Sequence, residues 1–298
     1  MRDVKNILIA NDSLDGLNTA LEKAAMIEHY SGAELHVAEV IYDTIAEESE
    51  ENVSEAERSR LIEALKAAER RGLQNLIEPF AERVASINTR VAWDRQAAAA
   101  LLRLQTETQA ELLIKPVSKH GRIADYLHTP LDWALTREAP CAVLISKQPS
   151  WEQATCVLAA VDVADEAHRD LTQEILLTAS TLAKLLGTQL HLACAYPELG
   201  QSVNDLQVAM DYEGIKADMR ESRGRHLDEW ITELQLDVAQ SHVLEGKPAN
   251  TISALANSLP ATVSVLGTSA RRGLGKLFLG NTAEDLIDQI HGDIVTVR

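Results

Sequence analysis

Short apolar runs alternate with longer amphipathic segments along the whole chain. The runs have the length of strands buried on both faces, and the longer segments have helical spacing. The first half predicts strands at 5–11, 34–41, 87–93, 111–116 and 141–147, and helices at 14–30, 54–85, 95–107 and 131–138. The second half predicts strands at 155–161, 189–195, 237–244, 262–267 and 293–298, and helices at 166–186, 203–234, 248–258 and 282–290. This alternation predicts an α/β fold with parallel sheets covered by helices.

The second half of the chain repeats the first. Residues 5–12 match residues 155–162 at an offset of 150, and residues 140–145 match residues 292–297 at an offset of 152. A polar stretch containing Pro149 separates the two copies. We therefore predict two domains, 1–148 and 153–298, each of a common size for one hydrophobic core.

Local signals support the predicted helices. Gly32 and Gly187 follow the first helix of each half, where glycine suits a left-handed terminal residue. In the second helix of the first half, apolar residues recur at helical spacing, which predicts core packing. These residues are Leu61, Leu65, Ala68, Leu73 and Leu76.

A glycine-rich segment follows the fourth strand of the second half only. It runs Gly267-Thr268-Ser269-Ala270, nine residues, then Gly280-Asn281-Thr282, with a strand before it and a helix after it. Backbone amides in such loops and at helix N-termini bind phosphate oxygens. At the matching places of the first half, Lys115 and His128 fill the space that a phosphate needs. We therefore expect the two halves to do different jobs.

This spacing resembles the nucleotide-binding signature of the universal stress protein family, and the whole chain resembles the tandem, E-type bacterial members. The resemblance implies two Rossmann-like domains of the adenine nucleotide α-hydrolase type, each a five-stranded parallel sheet of order 3-2-1-4-5. One residue departs from the pattern, because Ala270 stands where the family has a second glycine. If that position needs a positive φ, the methyl group costs on the order of 1 kcal/mol.

The resemblance also implies a ligand, which is ATP or a related adenine nucleotide with Mg²⁺, bound in the second half. Val161 would contact the base, Asp162 the ribose hydroxyls, and Ala195 would flank the adenine. A structural alternative for Asp162 is that it caps the following turn. The implied phosphate-side residues are Leu266, Gly267, Thr268, Ala270, Gly280, Asn281 and Thr282.

No catalytic residue is expected, because the sequence shows no arginine finger and no pair of metal-binding aspartates. Hydrolysis of ATP would be weak or absent. The resemblance further implies that the last strands of the two domains pair within one chain as a pseudo-dimer, and it leaves a homodimer of whole chains open. An alternative function is a nucleotide-independent interaction protein with a relict loop.

The first half leaves several interpretations open. Its former pocket could hold another small ligand, or a metal bound by His36, His120 and His128. The remaining interpretation is a half that only stabilises its partner.

Charge and composition narrow the classes of function. The formal net charge of −17 argues against nucleic-acid binding, because an acidic surface repels phosphates. No apolar stretch approaches the length of a membrane helix, and no signal peptide is evident. Three cysteines in apolar runs predict buried, reduced thiols. These features predict a cytoplasmic protein.

Overall fold

The structure is a computed structural model that describes residues 4–11, 14–44, 46, 54–117, 130–164, 166–198, 212–268 and 281–298. The chain divides into two compact units, Arg2–Ser150 and Trp151–Arg298. Among the described residues, no helix combines the length and the apolar character that a membrane crossing requires.

The first unit contains a five-stranded parallel sheet. Its strands are β1 (Asn6–Asn11), β2 (Glu34–Ile41), β3 (Ile87–Trp93), β4 (Leu112–Pro116) and β5 (Ala142–Ser146). They lie in the order β3-β2-β1-β4-β5. The described helices are α1 (Leu14–Ser31), α2 (Glu55–Ala81), α3 (Ala97–Thr108) and α4 (Pro130–Glu138).

The second unit has the same topology. Its strands are β6 (Cys156–Ala160), β7 (Gln189–Tyr196), β8 (Gln240–Glu245), β9 (Val263–Gly267) and β10 (Asp293–Val297). They lie in the order β8-β7-β6-β9-β10. The described helices are α5 (Arg169–Leu186), α6 (Tyr212–Leu234), α7 (Pro248–Ser258) and α8 (Asn281–Gln289). The predicted α/β class and the strand order 3-2-1-4-5 are confirmed in each unit.

The helix ends follow the chemistry of the sequence. Gly32 and Gly187 adopt the left-handed conformation, with φ of 72° and 61°, as predicted. The Gly187 amide donates to the last carbonyls of α5. At the start of α2, the Ser54 hydroxyl accepts from the Glu57 amide while the Glu57 carboxylate accepts from the Ser54 amide, so that both termini of the capping box are satisfied.

Among the described residues, three boundaries differ from the prediction by three residues or more. Helix α5 begins at Arg169 instead of residue 166, because residues 166–168 form a separate 3₁₀ turn. Strand β8 begins at Gln240 instead of residue 237, because the chain leaves α6 through Gln235, whose left-handed φ of 50° needs a short connection before the strand. Helix α2 ends at Ala81 instead of residue 85, where Glu82 caps it. The predicted helix 203–234 is described only from Tyr212 onward.

The prediction that the α2 stripe is core packing is wrong for three of its members, Leu61, Ala68 and Leu76, which are exposed. The buried residues of α2 are Leu73, Ile77 and Phe80, which all lie in its C-terminal half and pack beside β3. Leu61 and Leu76 keep 45% and 37% of their surface exposed. They lie on a different side of the helix from the buried residues, because α2 meets the sheet along one face only.

The cysteines are free thiols, as predicted. Cys156 and Cys194 are buried, whereas Cys141 is half-buried.

Candidate functional site

The carboxyl ends of β6, β7 and β9 meet at one rim of the second unit. Ala160, the last residue of β6, pairs with Ala193 on one side and with Leu266 on the other. The Val161 amide continues this pattern by donating to the Ala193 carbonyl at 2.9 Å. The rim therefore gathers these sequence-predicted residues: Val161, Asp162, Ala195, Leu266, Gly267 and Thr268.

Asp162 begins the turn after β6 and has an exposed side chain. Its Oδ1 accepts a hydrogen bond of 3.0 Å from the Ala164 amide. The carboxylate thus caps the following turn, as the structural alternative expected. The side chain remains exposed at the rim, so that it can cap the turn and still be reached by a ligand.

Cys194 lies on β7 beside this rim and is fully buried. Burial raises the pKa of its thiol to about 11, and the negative charge of Asp162 adds to the rise, whereas Arg223 opposes it. The thiol is therefore protonated at neutral pH and is not a nucleophile.

Gly267 ends β9 directly beneath α5. A Cβ atom at this position would lie 2.9 Å from the Leu171 Cδ2 and the Ile175 Cδ1 atoms. Any side chain here would force the ends of Leu171 and Ile175 to shift, so that glycine favours the close packing of α5 independently of any phosphate. A larger residue would displace these two side chains, which limits what a Gly267 variant can reveal about a ligand.

Thr268 uses both of its donors within the unit. Its amide donates to the Val297 carbonyl at 2.8 Å, and its hydroxyl donates to the same oxygen at 3.1 Å. Donors to a phosphate in this region must therefore come from residues beyond Thr268. Ala270 and Gly280 lie outside the described residues.

Helix α8 follows the glycine-rich segment along the chain. It begins at Asn281, and the Thr282 side chain in its first turn is exposed. The first amides of a helix have no partner within it, so that this end suits an anion.

A groove of about 700 Å³ lies next to the rim, between α6 and the strands β7 and β8. Its wall includes Lys216, Arg220 and Tyr196. Lys216 forms an ion pair of 2.8 Å with Glu245, and burial together with Glu245 raises the pKa of Tyr196. Sequence reasoning missed this groove, although the spacing of four and then three residues from Lys216 through Arg220 to Arg223 places three cations on one helix face.

The matching corner of the first unit is built from different residues. Lys115 pairs with Ile145 in β5, as Leu266 pairs with Thr296 in β10. Pro116 therefore stands at the position of Gly267, and Lys115 at that of Leu266, 151 positions apart in each case. Lys115 therefore does not replace the loop glycine, as the sequence predicted, but lies one residue before that position.

Lys115 instead forms a buried ion pair. Its side chain is fully buried, and its Nζ atom lies 2.9 Å from Asp132 Oδ1 and donates to the Pro116 carbonyl at 2.7 Å. Asp132 lies in the first turn of α4 and is 1% exposed. The residues at the corresponding positions of the second unit, Leu266 and Ala283, are uncharged.

The helices that follow these strands, α4 and α8, align at the same offset. The buried residues Asp132, Leu135 and Thr136 of α4 match Ala283, Leu286 and Ile287 of α8, again 151 positions apart. Pro130 therefore matches Asn281. Proline has no amide hydrogen, so that α4 presents one donor fewer to an anion than α8 does.

These features lead to the comparison with known proteins. The model of the universal stress protein family matches residues 3–147 and again residues 156–298. The chain belongs to the universal stress protein family.

Relatives of this universal stress protein match it along its whole length. It is 28% identical over 307 residues to universal stress protein E of Photorhabdus laumondii, with 100% of this chain and 96% of the relative covered. The crystal structure of a putative universal stress protein from Pseudomonas aeruginosa UCBPP-PA14 is similar, with a TM-score of 0.74, 28% identity, and 99% and 94% of the two chains covered. A universal stress protein from Archaeoglobus fulgidus shares the fold, with a TM-score of 0.64, 17% identity, and 98% of each chain covered. The tandem, E-type resemblance is therefore confirmed.

The histidines named as metal candidates do not form a described cluster. His36 is the third residue of β2, near the amino end of the sheet, where its Nε2 lies 3.5 Å from Asn6 Oδ1. His120 and His128 lie outside the described residues. Within the described ranges, no group of three histidine, cysteine, aspartate or glutamate side chains is arranged to hold a metal ion.

The equivalent of His36 in the second unit has acquired a histidine partner. His191 Nδ1 lies 3.0 Å from His242 Nε2, and the two rings are stacked. Burial lowers the pKa of both imidazoles, and the pKa of His242 is lowered further by His191. In the first unit, Arg90 on β3 stands at the position that corresponds to His242.

Proposed function

We propose that this universal stress protein binds ATP or a related adenine nucleotide in its second unit and acts as a sensor or regulator, with slow or absent hydrolysis. The observation that carries the proposal is the contrast between the two corners. Neutral residues and an exposed aspartate border the rim in the second unit, whereas a buried ion pair fills the matching corner in the first.

The proposed roles are those that the family resemblance implies, and the position of the described residues at one rim supports them. The backbone of Val161 and the side chain of Ala195 border the adenine, and Asp162 accepts hydrogen bonds from the ribose hydroxyls. The phosphates lie toward the start of α8, where the amides of Asn281 and Thr282 and the loop through Ala270 and Gly280 provide donors. An accompanying Mg²⁺ would be held mainly by the phosphates.

A nucleotide-independent interaction protein is the second candidate. The observation that favours it is Thr268, whose amide and hydroxyl both donate to the Val297 carbonyl and are therefore engaged without a ligand. In that case Gly267 would be retained only for the packing of α5.

Titration calorimetry with ATP, with and without Mg²⁺, distinguishes the candidates. Asp162→Asn retains an oxygen that can accept from the Ala164 amide but removes the charge, and Asp162→Ala removes both. The proposal predicts that both variants weaken ATP binding by about 10- to 100-fold, consistent with the loss of a charged hydrogen bond of about 1.5–3 kcal/mol. Asp12→Ala, at the aligned position of the first half, is the matched control and should leave binding unchanged.

Two outcomes would count against the proposal. The absence of ATP binding by folded wild type would favour the interaction protein. Equal losses in the Asp12 and Asp162 variants would show that the difference between the halves does not determine binding.

Two further properties rest on the family resemblance alone. We propose that the last strands, β5 and β10, pair within one chain as a pseudo-dimer, and that the protein is cytoplasmic. Val295→Pro would remove a backbone donor in the middle of β10. An unchanged radius of gyration of this variant in X-ray scattering would contradict the pairing.

A further inference from the structure

Helix α2 carries two apolar faces, of which the sheet uses one. Leu73, Ile77 and Phe80 are buried beside β3. A second row follows the helical spacing along another side of α2, and we call it the outer stripe. Its members are Leu61, Leu65, Ala68, Gly72 and Leu76.

The outer stripe exposes large apolar side chains. Leu61 and Leu76 mark its two ends with 45% and 37% of their surfaces exposed, and Leu65 between them is half-buried. Single exposed leucines are common, but a row of them on one helix face is typical of an interaction surface.

Gly72 is the second anomaly of this face. It lies in the middle of an α-helix, where glycine is a poor helix former, and it is exposed. A Cβ atom at this position would meet only the Glu69 Oε1 atom, at an ordinary contact distance of 3.8 Å. The described packing of the chain therefore does not require glycine here. A second helix approaching closely at Ala68 and Gly72 would explain it, since small residues set short interaxial distances.

The order of sizes along the stripe is self-complementary. Large residues occupy both ends and small residues the middle, so that a copy of the stripe running in the opposite direction about a two-fold axis near Ala68 fits it. Leu61 then faces the partner's Leu76, and Leu65 fills the space above the partner's Gly72. We propose that α2 pairs antiparallel with α2 of a second copy of this chain through the outer stripe. This contact is isologous, which is the arrangement that closes as a dimer.

The overall charge of the chain acts against this pairing. The net charge of −17 on each chain repels a second copy over longer distances. Moderate salt should therefore strengthen the dimer by screening that repulsion.

The proposed interface is small. The stripe from Leu61 to Leu76 spans about 22 Å at 1.5 Å per residue. A single helix pair of this length falls short of the roughly 800 Å² per partner that is usual for stable complexes. The dimer should therefore be weak and concentration-dependent.

Sedimentation velocity over a range of protein concentrations tests the proposal. Wild type should shift from monomer toward dimer, and Leu61→Glu/Leu76→Glu should weaken the dimer by about 100-fold or more, because it buries charge in place of two leucines. Leu177→Glu is the matched control, since Leu177 on α5 is 39% exposed but lies outside the stripe. The control should dimerise like wild type. A wild type that stays monomeric at its solubility limit, or equal losses in both variants, would overturn the proposal.

Gly72→Leu separates the dimer from the stability of the fold. Gly72 is exposed, a Cβ atom there meets only an ordinary contact, and leucine is the better helix former, so that thermal stability of the dilute protein should not fall. The dimer should nevertheless be lost, because the partner's Leu65 occupies the space above Gly72. Dimerisation at wild-type strength in this variant would contradict the close approach.

Engineered cysteines test the direction of pairing. In a Cys141→Ser background, which removes the half-buried native thiol, a mixture of Leu61→Cys and Leu76→Cys proteins should form a mixed disulfide dimer under mild oxidation. Leu61→Cys alone should not cross-link. Efficient cross-linking of Leu61→Cys to itself would indicate a parallel pair and overturn the proposed register.

Discussion

The two units differ in the chemistry of one equivalent corner, which lies between β4 and α4 in the first unit and between β9 and α8 in the second. In the first, Lys115 and Asp132 form a buried ion pair, and prolines stand at both flanking positions. In the second, Leu266 and Ala283 occupy the places of the charged residues, and Gly267 and Asn281 those of the prolines.

The comparison shows how a duplicated fold can change the chemistry of one corner without changing its topology. The strand order and register are the same in both units. Asp132 and Lys115 place an ion pair at the start of α4 in the first unit, whereas uncharged residues occupy the equivalent positions beside the start of α8 in the second. Four positions carry this difference.

The largest expected effect concerns the ion pair of the first unit. Lys115→Ala or Asp132→Ala should destabilise that unit by about 3–5 kcal/mol, because each leaves a buried charge uncompensated. The double variant Lys115→Leu/Asp132→Ala installs the residues of the second unit and should be clearly more stable than either single variant. Urea unfolding measures these free energies, and a double variant no better than the singles would contradict the account.

The second unit has its own buried polar contact. Trp151 Nε1 donates to Asp293 Oδ2 at 2.6 Å, and both residues are buried. At the position of Asp293 the first unit has Ala142. Trp151→Phe removes the donor and should cost about 1–3 kcal/mol in urea unfolding. Trp230→Phe is the control for ring size, since Trp230 is 6% exposed and its contact with Arg169 is available to phenylalanine. Equal costs would show that the hydrogen bond contributes little.

Restoring the family glycine at position 270 should increase the difference in nucleotide affinity between the halves. If Ala270 strains the loop by on the order of 1 kcal/mol, Ala270→Gly should tighten ATP binding about fivefold in calorimetry. Ala283→Gly, a methyl deletion in α8, is the control for glycine flexibility and should not tighten binding. An unchanged affinity of Ala270→Gly would show that alanine is already tolerated.

The smallest expected effect is a pH dependence that differs between the units. The folded pKa values of His191 and His242 are lowered below the usual value near 6.5, so that the unfolded chain binds more protons in this range. Their contribution to stability is therefore present at higher pH and is lost as the pH falls below about 6.5. His191→Gln/His242→Gln should flatten this dependence.

Hydrogen exchange at pH 7.5 and 5.5, resolved by peptide, locates the effect. After correction for the intrinsic exchange rate at each pH, acid should lower amide protection in the second unit more than in the first, whose described residues include one buried histidine of this kind, His36. An equal loss of protection in both units, or the same pH dependence in the double variant, would contradict the assignment.

The sequence was sufficient to predict the elements that depend on local chemistry. Apolar runs predicted the strands to within a few residues, and Gly32 and Gly187 marked helix ends because left-handed termini favour glycine. The gathering of Val161, Asp162 and Gly267 at one rim followed from parallel strands that end together.

Other features depend on register or burial, which spacing alone does not determine. Lys115 and Asp132 meet only because β4 and α4 set them face to face, and a shift of one residue would separate them. Leu61 and Leu73 look alike as members of an apolar stripe, yet one is exposed and the other is buried. The sequence does not reveal the groove beside α6, because cations at helical spacing are also typical of a solvent-exposed helix face.

The most direct test of the central claim compares blocked sites in the two units. Ala195→Trp fills the proposed adenine side of the rim, and Val40→Trp makes the same change at the corresponding half-buried position of β2. The measurement is the amount of adenine nucleotide that each saturated, washed and heat-denatured protein releases, determined by mass spectrometry. The account predicts one nucleotide per chain for wild type and Val40→Trp, and none for Ala195→Trp. Release from folded Ala195→Trp at the wild-type level, or loss in Val40→Trp alone, would contradict it.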